Sequence, residues 1–123
     1  MFDEPETTGA CHCRYCQLRS GSAFGVLAYF KLENFLFSSD KVNTYEFSND
    51  SGGAWKNQLC VKCGTTIRCE LEVFLGQVGI MGGTFDPPVF WYGLQNEVFI
   101  RSKAHFVGEL VAPAKSDTFF SCD

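Results

Sequence analysis

The chain has 123 residues and a formal charge of −4, and it is 46% hydrophobic and 20% charged. That is the size of one domain with a core of its own, and the mixture excludes collagenous and disordered classes. The basic residues are scattered singly from Arg14 to Lys115, so no stripe can follow a phosphate backbone and nucleic acid is not an expected partner, and no apolar run approaches the roughly 20 residues of a bilayer crossing.

Residues 1–10 contain neither a basic segment nor an apolar one of the kind that directs export, so a cytoplasmic protein is expected, with one domain over residues 1–123. Residues 14–19 can form one helical turn. Ser22–Phe30 combines aromatic and aliphatic residues as a buried strand does. Phe35–Phe37 and Val42–Phe47 read as two strands of a hairpin around the turn at 38–41, and 49–53 reads as a loop. Ala54–Leu59 and Thr66–Leu71 flank the turn Cys60-Val61-Lys62-Cys63-Gly64, an arrangement that predicts a hairpin with Gly64 in a left-handed conformation. Gln77–Met81 and Glu97–Arg101 are the last predicted strands, separated by a Gly-Gly-Thr-Phe-Asp-Pro-Pro turn region. No long helix is expected, and the fold class is mainly β. The 13 phenylalanines are read as core for the most part, whereas Trp55, Trp91 and Tyr92 suit a cleft as well as a core and receive no role.

The chemistry is concentrated in cysteines. Cys11, Cys13 and Cys16 fall within one run, Cys11-His12-Cys13-Arg14-Tyr15-Cys16, and Cys60 and Cys63 form a second pair. Zinc favours thiolates at tetrahedral angles, and a Cys-x-x-Cys turn brings two sulfurs to one point. In an extended segment side chains alternate, so Cys11 and Cys13 face one side and His12 the other. His12 is therefore expected to pack or hydrogen-bond elsewhere. An odd total of seven cysteines without an export signal favours metal over disulfides. Cys69, in an alternating strand, reads as an inert half-buried thiol, and Cys122 lies near the last residue. Two arrangements stay open: separate sites for the two motifs, or one ion taking its fourth sulfur from Cys60 or Cys63.

The order Cys11-His12-Cys13-x-x-Cys16-Gln17, Ser20-Gly21-Ser22-Ala23-Phe24-Gly25, Cys60-x-x-Cys63-Gly64-Thr65 and Gly83-Thr84-Phe85-Asp86 resembles the glutathione-dependent formaldehyde-activating enzymes, a family that includes centromere protein V. The resemblance implies a zinc-containing Mss4-like, or β-tent, fold of short antiparallel strands. It also implies that Cys11, Cys13 and Cys16 hold a catalytic zinc and that Cys60 and Cys63 are half of a structural one. The Cys-x-Cys strand that usually supplies the other half has no counterpart before Cys11. An uncovered strand edge would favour a homodimer.

Three protein thiolates leave one position on zinc for a substrate thiol. The resemblance makes that thiol glutathione and the reaction a carbon–sulfur lyase step, the reversible formation of S-hydroxymethylglutathione from formaldehyde. Arg14, Gln17 and Ser22 are candidate donors to the aldehyde oxygen, and Arg14, Arg19 and Lys62 are candidate partners for the anionic tripeptide, although solvated surface charge is the plainer reading of Arg14 and Arg19. The alternatives are a glutathione-responsive zinc-binding module and a structural interaction domain, neither of them catalytic.

Overall fold

A computed structural model describes residues 4–34, 41–48, 53–71, 76–85 and 89–118. Its strands are β1 (Thr7–Cys11), β2 (Gly25–Lys31), β3 (Val42–Ser48), β4 (Ala54–Cys60), β5 (Thr66–Leu71), β6 (Gln77–Met81), β7 (Asn96–Val98) and β8 (Ala114–Lys115), with one α-helix, α1 (Arg14–Ser20), among the described residues. The strands form one sheet in the order β3-β4-β5-β6-β2-β1-β7-β8. Pairing is antiparallel except at β1–β7 and β7–β8, which are parallel.

Alternation along β2 shows how the sheet divides its core. Leu27 and Tyr29 join Trp55, Cys69, Leu71, Val98 and the three early cysteines in one cluster, and Ala28 and Phe30 join Val78 and Ile80 in another. A strand buried this way carries apolar residues at successive positions. Trp55 is core in the first cluster, and Trp91 and Tyr92 pack at the border of the second. Phe30 and Phe99 are buried as expected of core phenylalanines, but Phe106 is 73% exposed.

The sequence expectations hold best where a turn residue is decisive. The hairpin β4–β5 forms around Cys60–Gly64, with Gly64 at φ 77°. Elsewhere boundaries move. The strand expected from Ser22 begins at Gly25, because α1 extends to Ser20 and Gly21, at φ 67°, closes it with its N–H on the Gln17 carbonyl. The strand expected over Glu97–Arg101 stops at Val98. Phe99 there adopts φ 57°, its N–H bonds the Thr118 carbonyl, and Ile100–Ser102 turns into a 3-10 segment. The Phe35–Phe37 strand and its hairpin turn lie outside the described residues, as does Cys122; β3 takes β4 as its partner. No helix of the described residues is long and apolar enough to cross a membrane.

Gly79 lets two core side chains meet across the sheet. A Cβ built there would lie 2.7 Å from Tyr29 Cε1 and 2.9 Å from Cys69 Sγ. Cys69 is fully buried, more so than the half-buried strand thiol expected, and burial pushes its pKa up to about 12, which keeps it a neutral packing residue. Gly79→Ala is expected to lower stability by about 1–3 kcal/mol through overpacking, measured by urea unfolding; an unchanged midpoint would mean that the Tyr29 ring yields freely.

Candidate metal centre

The first cysteine motif straddles the junction between strand and helix. Cys11 is the last residue of β1, opposite Gly25 of β2, and Cys13 is the N-cap of α1. Its sulfur accepts the Cys16 N–H at 3.4 Å, the role that a Ser, Thr or Asp oxygen usually fills. Cys16 follows one helical turn later, so the three sulfurs converge and lie within 4.8 Å of one another. Tetrahedral zinc at ~2.3 Å from each sulfur sets separations of ~3.8 Å, which lie within that limit.

All three thiols are nearly buried, at 8%, 5% and 6% exposure for Cys11, Cys13 and Cys16. Hydrogen bonds from Cys11 and then Cys16 pull the Cys13 thiol far below its ordinary value. The bond that Cys11 makes to Cys13 pushes Cys11 up, and bonds to Cys11 and Cys13 push Cys16 up. One negative charge is thus held by three sulfurs, and a second or third ionisation needs a cation in their midst. A soft divalent ion supplies that charge and matches the donor atoms.

His12 faces away from the sulfurs, as the alternation predicts. Its Nε2 lies 2.7 Å from Oε2 of Glu97, and both residues are fully buried. Glu97 also pairs with Lys103 at 3.0 Å and Lys115 at 2.7 Å. Burial alone would raise the Glu97 pKa, but hydrogen bonds from Lys115, Lys103 and His12 outweigh it and hold the carboxyl at about 2. The His12 N–H bonds the Val98 carbonyl at 3.1 Å, so side chain and backbone both tie the middle residue of the thiol run to β7. Glu97 was read in the sequence only as the start of a strand. A carboxylate directly before the apolar run Val98-Phe99-Ile100 is the signal that something must neutralise it.

The second pair sits apart. Cys60 ends β4 and Cys63 is exposed on the turn, its Sγ 3.0 Å from Thr65 Oγ1. That hydroxyl, then the Thr65 backbone and the Cys60 thiol, lower the Cys63 pKa. Neither cysteine belongs to the Cys11–Cys13–Cys16 group, and among the described residues no third ligand joins them. The other candidates are dispersed. Arg14 is exposed, the Gln17 amide is committed to the Ser102 carbonyl at 3.1 Å, Ser22 lies on the exposed turn after α1 with its N–H on Ser20 Oγ, and Lys62 is exposed on the turn. Arg19 packs over Tyr45 and Phe47, with its guanidinium 4.5 and 4.9 Å from their ring centroids, instead of extending into solvent.

One cavity adjoins the centre, and a larger groove lies beside the second cysteine pair. Behind Cys11 is an apolar cavity of about 30 Å³ lined by Leu27, Tyr29, Trp55, Leu71 and Val98 among others. A groove of about 500 Å³, lined by Arg19, Gly25, Cys63 and Thr65 among others, passes Gly25, where an added methyl would lie 3.7 Å from Cys16 Sγ.

An eight-stranded sheet with three buried, converging thiols at a strand–helix junction defines a β-rich protein with a candidate three-sulfur metal centre. Its sequence matches the family model described as glutathione-dependent formaldehyde-activating enzyme over residues 1–102, and the chain belongs to that family. No curated protein matches it. The match includes both cysteine motifs and Glu97 but stops short of Lys103 and Lys115.

Removing the Glu97 charge leaves two lysines facing a neutral amide. Because the folded pKa is depressed from 4.5 to about 2, the contribution of Glu97 is complete above about pH 4.5 and lost as pH falls toward 2. Glu97→Gln is therefore expected to be about 3 kcal/mol less stable than the parent at pH 7, with the gap closing below pH 4.5; a gap independent of pH in urea unfolding would assign the loss to packing alone.

Proposed function

We propose that this protein is a zinc-dependent enzyme of carbon–sulfur lyase type that joins glutathione to formaldehyde reversibly, giving S-hydroxymethylglutathione. The observation that carries this reading is the group of three buried thiols, mutually within 4.8 Å, in a chain of this family. Cys11, Cys13 and Cys16 would hold the zinc, and their shared-charge state fits it. Zinc, when bound, supplies the acidity that turns a neighbouring substrate thiol into a thiolate.

The residues of the chain then have three tasks. The near-burial of the cysteines keeps bulk water from competing for the aldehyde carbon. The groove past Gly25, whose backbone lies close to Cys16, is the proposed approach for the thiol substrate. The His12–Glu97 pair fixes the backbone between Cys11 and Cys13, so their separation is set before substrate arrives. In the forward direction the thiol sulfur bonds to the aldehyde carbon, the carbon–oxygen π pair moves to oxygen, and the thiol proton completes the hydroxyl.

Cys60 and Cys63 are proposed as ligands of a separate metal site, to which they contribute two sulfurs. Free thiols at both motifs suit a reducing, cytoplasmic setting. The low exposure of the three cysteines favours one other reading, a zinc-binding module that responds to glutathione without catalysis.

Two measurements decide. Cys13→Ser is expected to lose the zinc of the first centre and Cys60→Ser to keep it; full zinc retained by the Cys13 variant in metal analysis would remove the ligand assignment. The purified zinc-loaded protein is expected to raise the rate at which glutathione and formaldehyde combine, followed by NMR. Glutathione binding with no change in that rate would leave the binding-module reading in its place.

A further inference from the structure

We propose that Cys60 and Cys63 hold a zinc ion shared between two copies of this chain, each copy supplying two of its four sulfurs. The inference rests on the reading of this pair as a separate metal site and adds what completes that site. Both cysteines sit at the turn of the β4–β5 hairpin, whose backbone is already closed around them. The Cys60 N–H bonds the Thr65 carbonyl at 2.8 Å, and the Gly64 N–H bonds the Cys60 carbonyl at 2.9 Å. A Cys-x-x-Cys turn held in this way offers two sulfurs to one ion.

Two sulfurs are half of a closed zinc shell. Structural zinc takes four protein ligands, yet among the described residues no His, Cys, Asp or Glu makes a group of three with this pair. The turn faces outward instead. Val61, Lys62, Cys63, Gly64 and Thr65 are all exposed, so further ligands can arrive from another molecule while the hairpin keeps its shape. A second copy brings them in the right number and kind. Two identical pairs related by a two-fold axis through the ion give four sulfurs, and the assembly closes at two chains.

Charge at the turn fits the same occupant. Four thiolates on Zn²⁺ carry a formal charge of about −2, and each copy brings two exposed lysines to the place where it forms. Lys62 lies between the cysteines, and the Lys41 carbonyl accepts the Val61 N–H at 3.1 Å. Without the metal thiolate two such turns repel each other, so the association is tied to the ion. Room for a second chain exists at this end of the sheet. Val42 of β3 is the partner of Cys60, and β3 ends the strand order with β4 as its one neighbour among the described residues. Val61, 51% exposed on the turn, gains apolar cover when two turns meet. Because Cys63 also lines the groove that passes Gly25, the joint borders that groove.

Native mass spectrometry and analytical ultracentrifugation of the full-length, zinc-loaded protein count its metals and chains. The expected parent is a dimer with one zinc beyond those held by Cys11, Cys13 and Cys16 of each chain. Cys60→Ser and Cys63→Ser are each expected to be monomeric, to lose about half a zinc per chain and to keep the zinc of the first centre. Cys122→Ser is expected to match the parent. A monomeric parent overturns the shared ion, and that result depends on no variant folding. A dimer that outlasts Cys60→Ser with its zinc count unchanged overturns it too, as does loss of the extra zinc from Cys122→Ser. A monomer whose second zinc depends on Cys60 removes the sharing and keeps the separate site; a parent without a second zinc removes both.

Discussion

A fully buried carboxylate is costly unless cations and donors surround it, and Glu97 meets that condition through three residues from different parts of the chain. His12 comes from the segment between β1 and α1, Lys103 from the segment after the 3-10 turn, and Lys115 from β8. Each alone would leave the charge poorly compensated; together they make its burial sustainable. The geometry of the thiol centre depends on this arrangement because His12 is the residue between two of the three sulfurs. Whatever holds the imidazole also holds the backbone on which Cys11 and Cys13 are mounted.

The sulfur centre has the opposite electrostatic character. Glu97 gathers enough positive charge to remain ionised, whereas among the three thiols only Cys13 is pulled toward the thiolate and Cys11 and Cys16 are pushed away from it. The two charge systems stand back to back across one residue. That separation explains why His12 contributes nothing to the sulfur side: its ring is already committed to the carboxylate. It also leaves Arg19 outside both systems, on an aromatic bed at the groove.

Local chemistry was readable wherever one residue type decides the outcome. The Cys60–Gly64 turn follows from a glycine that tolerates positive φ, and the thiol cluster follows from ligand spacing. The outward turn of His12 follows from alternation. Long-range partners were not readable. Nothing in the spacing of Glu97, Lys103 and Lys115 announces that they converge, because the parallel pairing of β7 with β1 and β8 brings them together only in the folded chain. Arg19 looked like a surface charge for the same reason: its aromatic bed lies on β3, far along the sequence. The early end of β7 was hidden as well, since Phe99 adopts a conformation that its own side chain disfavours and the contact with Thr118 sustains.

The family match ends at residue 102, yet two of the three partners of Glu97 lie beyond it. In this chain the buried carboxylate of that stretch is compensated in part from beyond its border. Cut at that border, it would keep every motif cysteine and bury a carboxylate with a single histidine for company. A domain boundary drawn from sequence similarity would pass through the electrostatic foundation of the centre it was meant to enclose. Through Lys103 and Lys115, the segment beyond residue 102 belongs energetically to the buried carboxylate.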